Sequence, residues 1–132
     1  MVDYFYGMHW MLATPFLPNE EIDYDSIPKI VGQARESGCT GVVGLGVMGE
    51  AVRLTDAERT KVAEAIVSAA DGLPVTLGTT ANSTKAVIDR SIEAEKLGSA
   101  AIMVSAPSMQ KANTDNLFAH YARLAERISI PI

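Results

Sequence analysis

Short apolar runs alternate along the chain with longer amphipathic stretches, and the rhythm repeats from end to end. Residues 8–13 are apolar and stop at Thr14-Pro15, which predicts a first strand. Ile27, Ile30, Val31 and Ala34 then share one helical face. Asp25 or Ser26 is the expected N-cap, Pro28 sits in the first turn, and Gly38 ends the helix. Residues 40–45 predict a second strand. Thr55-x-x-Glu58 is a capping box, opening a helix with Val62, Ala65, Ile66 and Ala69 as its expected buried stripe and Asp71-Gly72 as its end. Residues 74–77 predict a third strand, followed by Gly78-Thr79-Thr80. Asn82 or Ser83 caps a third helix carrying Val87, Ile88, Ile92 and Ala94, which stops at Gly98. Residues 100–104 predict a fourth strand that runs into Ser105-Ala106-Pro107-Ser108-Met109. Asn113 or Thr114 caps a fourth helix with Leu117, Tyr121, Leu124 and Ile128 on one face. Ile130-Pro131-Ile132 then begins a fifth strand.

This is an α/β pattern of four βα units, one domain over residues 1–132, repeating at about thirty residues, the size of one such unit. The strands are apolar on both faces, as buried parallel strands are. Two architectures fit: an open doubly wound sheet, or half of a (βα)₈ barrel. A whole barrel needs roughly 250 residues. A free half leaves the edges of strands one and four open to pairing.

The chain is organised around residues 41–53, where an apolar run ends in closely spaced glycines and an acid. Gly44, Gly46 and Gly49 spell G-x-G-x-x-G, the dinucleotide fingerprint. That fold needs the helix to open inside the motif, facing the pyrophosphate. Here the helix starts only at Thr55, and Asp71, at roughly the offset of a ribose-binding acid, precedes a strand instead of ending one. The better reading is a strand followed by a Gly-rich loop whose backbone N–H groups turn toward a small anion. A plain tight βα turn is the alternative.

Composition narrows the partners. Nearly half the residues are apolar and the net charge is −5, with Lys and Arg scattered, so no nucleic-acid surface is expected. The single cysteine, Cys39, excludes an internal disulfide, fits a reducing, cytoplasmic setting and reads as a buried inert thiol. His9 and His120 are far apart and unaccompanied, so no metal site is expected. No cationic leader precedes an apolar stretch, and no run reaches membrane-spanning length.

Ala13-Thr14-Pro15-Phe16, Gly46-x-x-Gly49-Glu50, Leu54-Thr55-x-x-Glu58-Arg59, Gly78-Thr79-x-x-Asn82-Ser83-Thr84, Gly98-x-x-Ala101 and Ala106-Pro107 occur in order and in register. Together they resemble the dihydrodipicolinate synthase/N-acetylneuraminate lyase family, over residues 8–132. The resemblance implies a (βα)₈ TIM barrel of which this chain matches the N-terminal half, strands one to four and the start of strand five. It implies a class I aldolase, lyase or dehydratase acting on pyruvate or a related 2-keto acid, without a cofactor, and a homo-oligomer, tetramer or dimer.

Family chemistry runs through a lysine Schiff base that serves as an electron sink. By resemblance that lysine lies beyond Ile132, so no catalytic residue is expected in this chain. Lys29, Lys61, Lys85 and Lys96 fall in predicted helices and Lys111 in a loop, and none is placed in a barrel strand, where burial could depress a lysine pKa. The resemblance places the substrate carboxylate on Val47 and Met48, with Gly46, Gly49 and Glu50 supporting the loop. Val47 and Met48 keep the N–H donors but lack the hydroxyls many relatives carry there. Val47 also stands at a threonine of the family's proton relay, and Met109 at a relay tyrosine. These substitutions argue against dihydrodipicolinate synthesis and ordinary sialate cleavage, and for a divergent or inactive member. A stand-alone α/β domain that binds a small anion, or two halves pairing into a barrel, are the competing readings.

Other residues have structural explanations beside functional ones. Glu50 is expected to brace the loop rather than act as an acid or base, and His9 to be a core or layer residue. Thr79 and Thr80 face the barrel mouth or simply turn the chain. Met11 belongs to the pocket floor or the core. Tyr4, Tyr6 and Trp10 suit packing or subunit contact.

Overall fold

A computed structural model describes residues 5–106 and 113–132. Among them four strands form one parallel sheet: β1 (His9–Met11), β2 (Gly41–Gly44), β3 (Val75–Gly78) and β4 (Ala101–Met103), in the order β1-β2-β3-β4. β1, β2 and β4 lie within their predicted runs but are shorter, because ladder pairing stops where the loops turn, and β3 runs one residue past its predicted end to include Gly78. The helices are α1 (Ile27–Glu36), α2 (Asp56–Ala70), α3 (Thr84–Leu97) and α4 (Thr114–Ala125).

Sequential strand order separates the two architectures. A doubly wound sheet reverses its order partway and carries helices on both faces. Here every crossover advances by one strand, and each helix packs on the next along one face. Register assigns the faces. A Cβ on Gly44 would meet the tip of Ile66 in α2, whereas one on Gly41 would meet the ring of His9. Val42, Val75, Leu77 and Ile102 therefore point toward the helices, where they are almost fully buried against Val31, Val62, Ile66 and Val87. His9, Met11, Val43, Thr76, Ala101 and Met103 line the opposite, concave face. This one-sided winding is that of a (βα)₈ barrel segment.

The helix starts follow their caps. Thr55 and Glu58 form the reciprocal capping box of α2. The Ser83 side chain caps α3 and that of Asn113 caps α4. At α1 Ser26 is the N-cap residue, one of the two expected, but its side chain makes no cap bond. A 3-10 turn over Tyr24–Ser26 precedes the helix, and the Asp23 side chain accepts the Ser26 N–H.

The stripes are partly rotated from expectation. In α2 the buried residues are Arg59, Val62, Ala63, Ile66 and Ala70, with Ala65 and Ala69 half-buried. In α3 Ser91 takes the place expected for Ile92; in α4 His120 and Leu124 are buried while Leu117 and Tyr121 are only partly so, and Ile128, expected on this helix, lies beyond its end at Ala125. Small and polar residues win these positions because hydroxyl, imidazole and guanidinium partners lie inside. Residues 130–132 form no strand, but the Ile102 N–H donates to the Pro131 carbonyl at 2.9 Å, along the open edge of β4. Cys39 is buried.

Candidate functional site

The C-terminal ends of the strands carry the Gly-rich loop, as the sequence pattern led us to expect. Leu45 leaves β2 with φ +56 and Glu50 ends the turn with φ +51, left-handed values that cost a non-glycine residue about 1–2 kcal/mol each. Between them the Gly49 N–H donates to the Gly46 carbonyl at 3.1 Å and the Glu50 N–H to the Val47 carbonyl at 3.0 Å. The Val47 and Met48 N–H groups have no acceptor within the described residues. Both side chains face solvent, at 91% and 62% exposure, so what this turn offers inward is backbone.

Neighbouring elements hold the strained turn from several sides. The buried Thr14, just past β1, donates from Oγ1 to the Gly49 carbonyl at 2.7 Å. Gly78 at the end of β3 lies so close that a Cβ there would sit 2.1 Å from the Leu45 carbonyl oxygen. Beneath Gly46 the thioether ends of Met11 and Met103 meet, and a Cβ on that glycine would lie 2.6 Å from the Met11 Sδ. From α2, Arg59 donates through Nη1 to the Ala51 carbonyl at 3.0 Å and through Nη2 to the Gly78 carbonyl at 2.8 Å. Arg59 is 6% exposed, and burial, followed by the like charge of Arg90, holds its pKa below the ordinary guanidinium value.

Over the turn lies a cavity of about 140 Å³, lined by Gly46, Val47, Val52, Thr80, Met103 and Ser105 among others. Its wall is largely apolar, with Thr80 Oγ1 tied up in accepting the Ser105 N–H at 2.9 Å. Thr79, by contrast, is buried and pairs its hydroxyl with that of Ser91 at 2.9 Å, so it serves the turn and not the mouth.

Of the residues predicted for the site, Gly46, Val47 and Thr80 line the cavity, while Met48, Gly49 and Glu50 belong to the same turn without lining it. The Glu50 side chain points to Arg53, 3.1 Å away, and its main chain closes the turn. Met109, Lys111 and Tyr4 lie outside the described residues. Lys29, Lys61, Lys85 and Lys96 are all on exposed helix surfaces. His9 packs across Gly41 and stacks on Phe5, with its Nε2 buried and unpartnered, on the concave face away from the turn. Among the described residues no group of His, Cys, Asp and Glu is disposed to hold a metal, and no helix is long and apolar enough to cross a membrane.

Sequence reasoning took Arg59 only as part of a motif and missed its position at the loop. The signal was available: residue 59 lies three before Val62 and four before Ala63, on the face that α2 buries.

Comparison with known proteins agrees with this geometry. The profile of the dihydrodipicolinate synthetase family matches residues 4–132. The 4-hydroxy-tetrahydrodipicolinate synthase of Fervidobacterium nodosum is 38% identical over 129 residues, which is 97% of this chain and 44% of that protein. The dihydrodipicolinate synthase of Aquifex aeolicus superposes with a TM-score of 0.91 at 29% identity, over 97% of this chain and 44% of that one. The chloride-inhibited dihydrodipicolinate synthase of Acinetobacter baumannii, solved in complex with pyruvate, gives 0.88 at 32% identity, over 93% and 43%. The chain thus spans less than half the length of these relatives. It belongs to the dihydrodipicolinate synthetase family.

Proposed function

We propose that this chain supplies the carboxylate-binding side of a 2-keto-acid site in a Schiff-base aldolase, lyase or dehydratase, with pyruvate as the simplest ligand. The observation that carries the reading is the turn over residues 46–49. Two backbone N–H groups, of Val47 and Met48, have no acceptor among the described residues and stand side by side in a turn that opens on an apolar cavity. Such paired donors suit a carboxylate, whose two oxygens accept from N–H groups without needing a counter-ion. Two relatives in the family, the Acinetobacter enzyme and an Escherichia coli prophage protein, were solved in complex with pyruvate.

In this reading the chain binds and orients, and the amine that condenses with the keto group belongs to a lysine outside it. The helical lysines Lys29, Lys61, Lys85 and Lys96 are exposed and none lines the cavity, so none is placed to meet a keto group held there. Val47 and Met48 offer no hydroxyl to pass a proton, and by resemblance Met109 removes the relay tyrosine. That combination favours a divergent aldolase or dehydratase over synthesis of a dihydrodipicolinate precursor. By itself the 132-residue chain acts as a half-barrel that binds a small anion without catalysis. Treatment of this chain with pyruvate and borohydride tests the division of labour. An unchanged 14.1 kDa mass is expected. A reduced pyruvate adduct on Lys29, Lys61, Lys85, Lys96 or Lys111 would overturn it.

A further inference from the structure

Arg59 is a buried cation without a carboxylate of its own. None of the ion pairs among the described residues includes it, although Arg90 beside it pairs with Asp56 at 2.9 Å. Its guanidinium spends its hydrogen bonds on two main-chain carbonyls from different segments, that of Ala51 in the loop after β2 and that of Gly78 at the end of β3. A buried charge is expensive, and a Leu or Met of similar reach would fill this position on α2 without that cost. Position 59 therefore needs what an apolar side chain lacks, a planar fork that bridges two acceptors. Both carbonyls sit at the cavity: Ala51 follows the turn directly, and Gly78 is the residue pressed against the Leu45 carbonyl. Arg59 itself lines the cavity.

We propose that Arg59 is a positioning residue of the 2-keto-acid site, clamping the end of the glycine turn to the end of β3 so that the Val47 and Met48 N–H groups converge on one point. The inference rests on the keto-acid reading above. The clamp explains how two left-handed residues, Leu45 and Glu50, persist in a segment with an exposed outer face. Thr14 fixes the turn through Gly49 on the β1 side, and Arg59 does the same through Ala51 on the β3 side. Its positive charge, close to the cavity wall and not neutralised by direct pairing, also favours an anion there. The ionisable neighbours that shape this charge are Arg90, Asp56 and Glu93.

Nuclear relaxation and a pyruvate titration of the isotope-labelled 132-residue chain test the assignment, using Arg59→Met and Arg59→Lys. In the wild type, Val47 and Met48 should show backbone order parameters of about 0.85, as rigid elements do. In Arg59→Met they should fall below about 0.6 while those of α3 and α4 hold, and pyruvate should bind about tenfold more weakly. Arg59→Lys keeps the charge but reaches only one carbonyl, so it should fall between the two, and it decides the question if Arg59→Met does not fold. Loop order retained in the variants overturns the proposal, whatever happens to the unfolding midpoint. A wild-type chain that binds no pyruvate overturns the keto-acid reading itself. Wild-type binding with variant loops as rigid as wild type overturns the Arg59 assignment alone.

Discussion

At Gly78 the obstacle to any side chain is the main chain itself, the Leu45 carbonyl 2.1 Å from where a Cβ would stand. At Gly46 the obstacle is the flexible end of Met11. The two glycines thus differ in what must move, although both lie at or just past the C-terminal ends of strands. Gly78→Ala should destabilise the chain by about 1–3 kcal/mol or more, since backbone has to shift. Gly46→Ala should cost less than about 1 kcal/mol, because a methionine side chain repacks readily. Urea unfolding of the two variants checks the order. Equal losses would mean that the loop after β2 does not rest on β3 as described. At this scale the sequence was legible where it named a residue type with one use. The glycines, Thr14 and Thr55 were marked by motif and position. Arg59, Ser91 and His120 were not, because a polar residue on an apolar stripe is legible only once its partners are known. Those partners, Gly78, Thr79 and Thr84, are distant in sequence.

The helices are set by their first turns. Thr55 Oγ1 accepts the Glu58 N–H, and the Glu58 carboxylate accepts from both the Thr55 N–H and its hydroxyl. These bonds hold the Glu58 pKa below its usual 4.5. A carboxylate whose folded pKa is depressed adds stability at and above the unfolded value, and that stability is lost as pH falls through the folded value. Thr55→Ala removes the N-cap hydroxyl and should cost about 1 kcal/mol at neutral pH. The gap to wild type should narrow as pH drops below 4.5, where Glu58 takes up a proton in both chains. Urea midpoints at several pH values measure it, and a gap independent of pH would deny Glu58 its part in the cap. Element existence and order were readable from the apolar rhythm, and the caps of α2, α3 and α4 from single residues. At α1 Ser26 was legible as the N-cap position, but the 3-10 turn ahead of it was not, because its closure by Asp23 is a local choice that composition does not make. Stripe phase slipped for a related reason, since α2 and α3 alternate Ala and Ser with larger residues and their patterns define no sharp face.

For the whole molecule, the decisive feature is that all helices lie on one side of a sheet ordered β1-β2-β3-β4. The apolar pattern alone left an open doubly wound sheet and a half-barrel equally admissible, because both alternate strands and helices at the same spacing. Register, the concave face of His9, Met11, Val43, Thr76, Ala101 and Met103, and the family relationship select the barrel. The fifth strand was anticipated from Ile130-Pro131-Ile132, where the described chain has a single main-chain bond from Ile102 and no ladder. A strand at the edge of a barrel segment is completed by its neighbour, and pairing needs both partners. The concave face and the glycine turn belong to one design, in which a curved sheet presents its loop ends to a small ligand. The central claim is that this design recognises a keto-acid carboxylate through main-chain donors. A titration of the isotope-labelled chain with pyruvate, following every amide resonance, tests it most directly. The account predicts saturable shifts largest at Val47 and Met48, spreading to Gly46, Gly49 and Thr80. Saturable shifts centred elsewhere, or none at all, would contradict it.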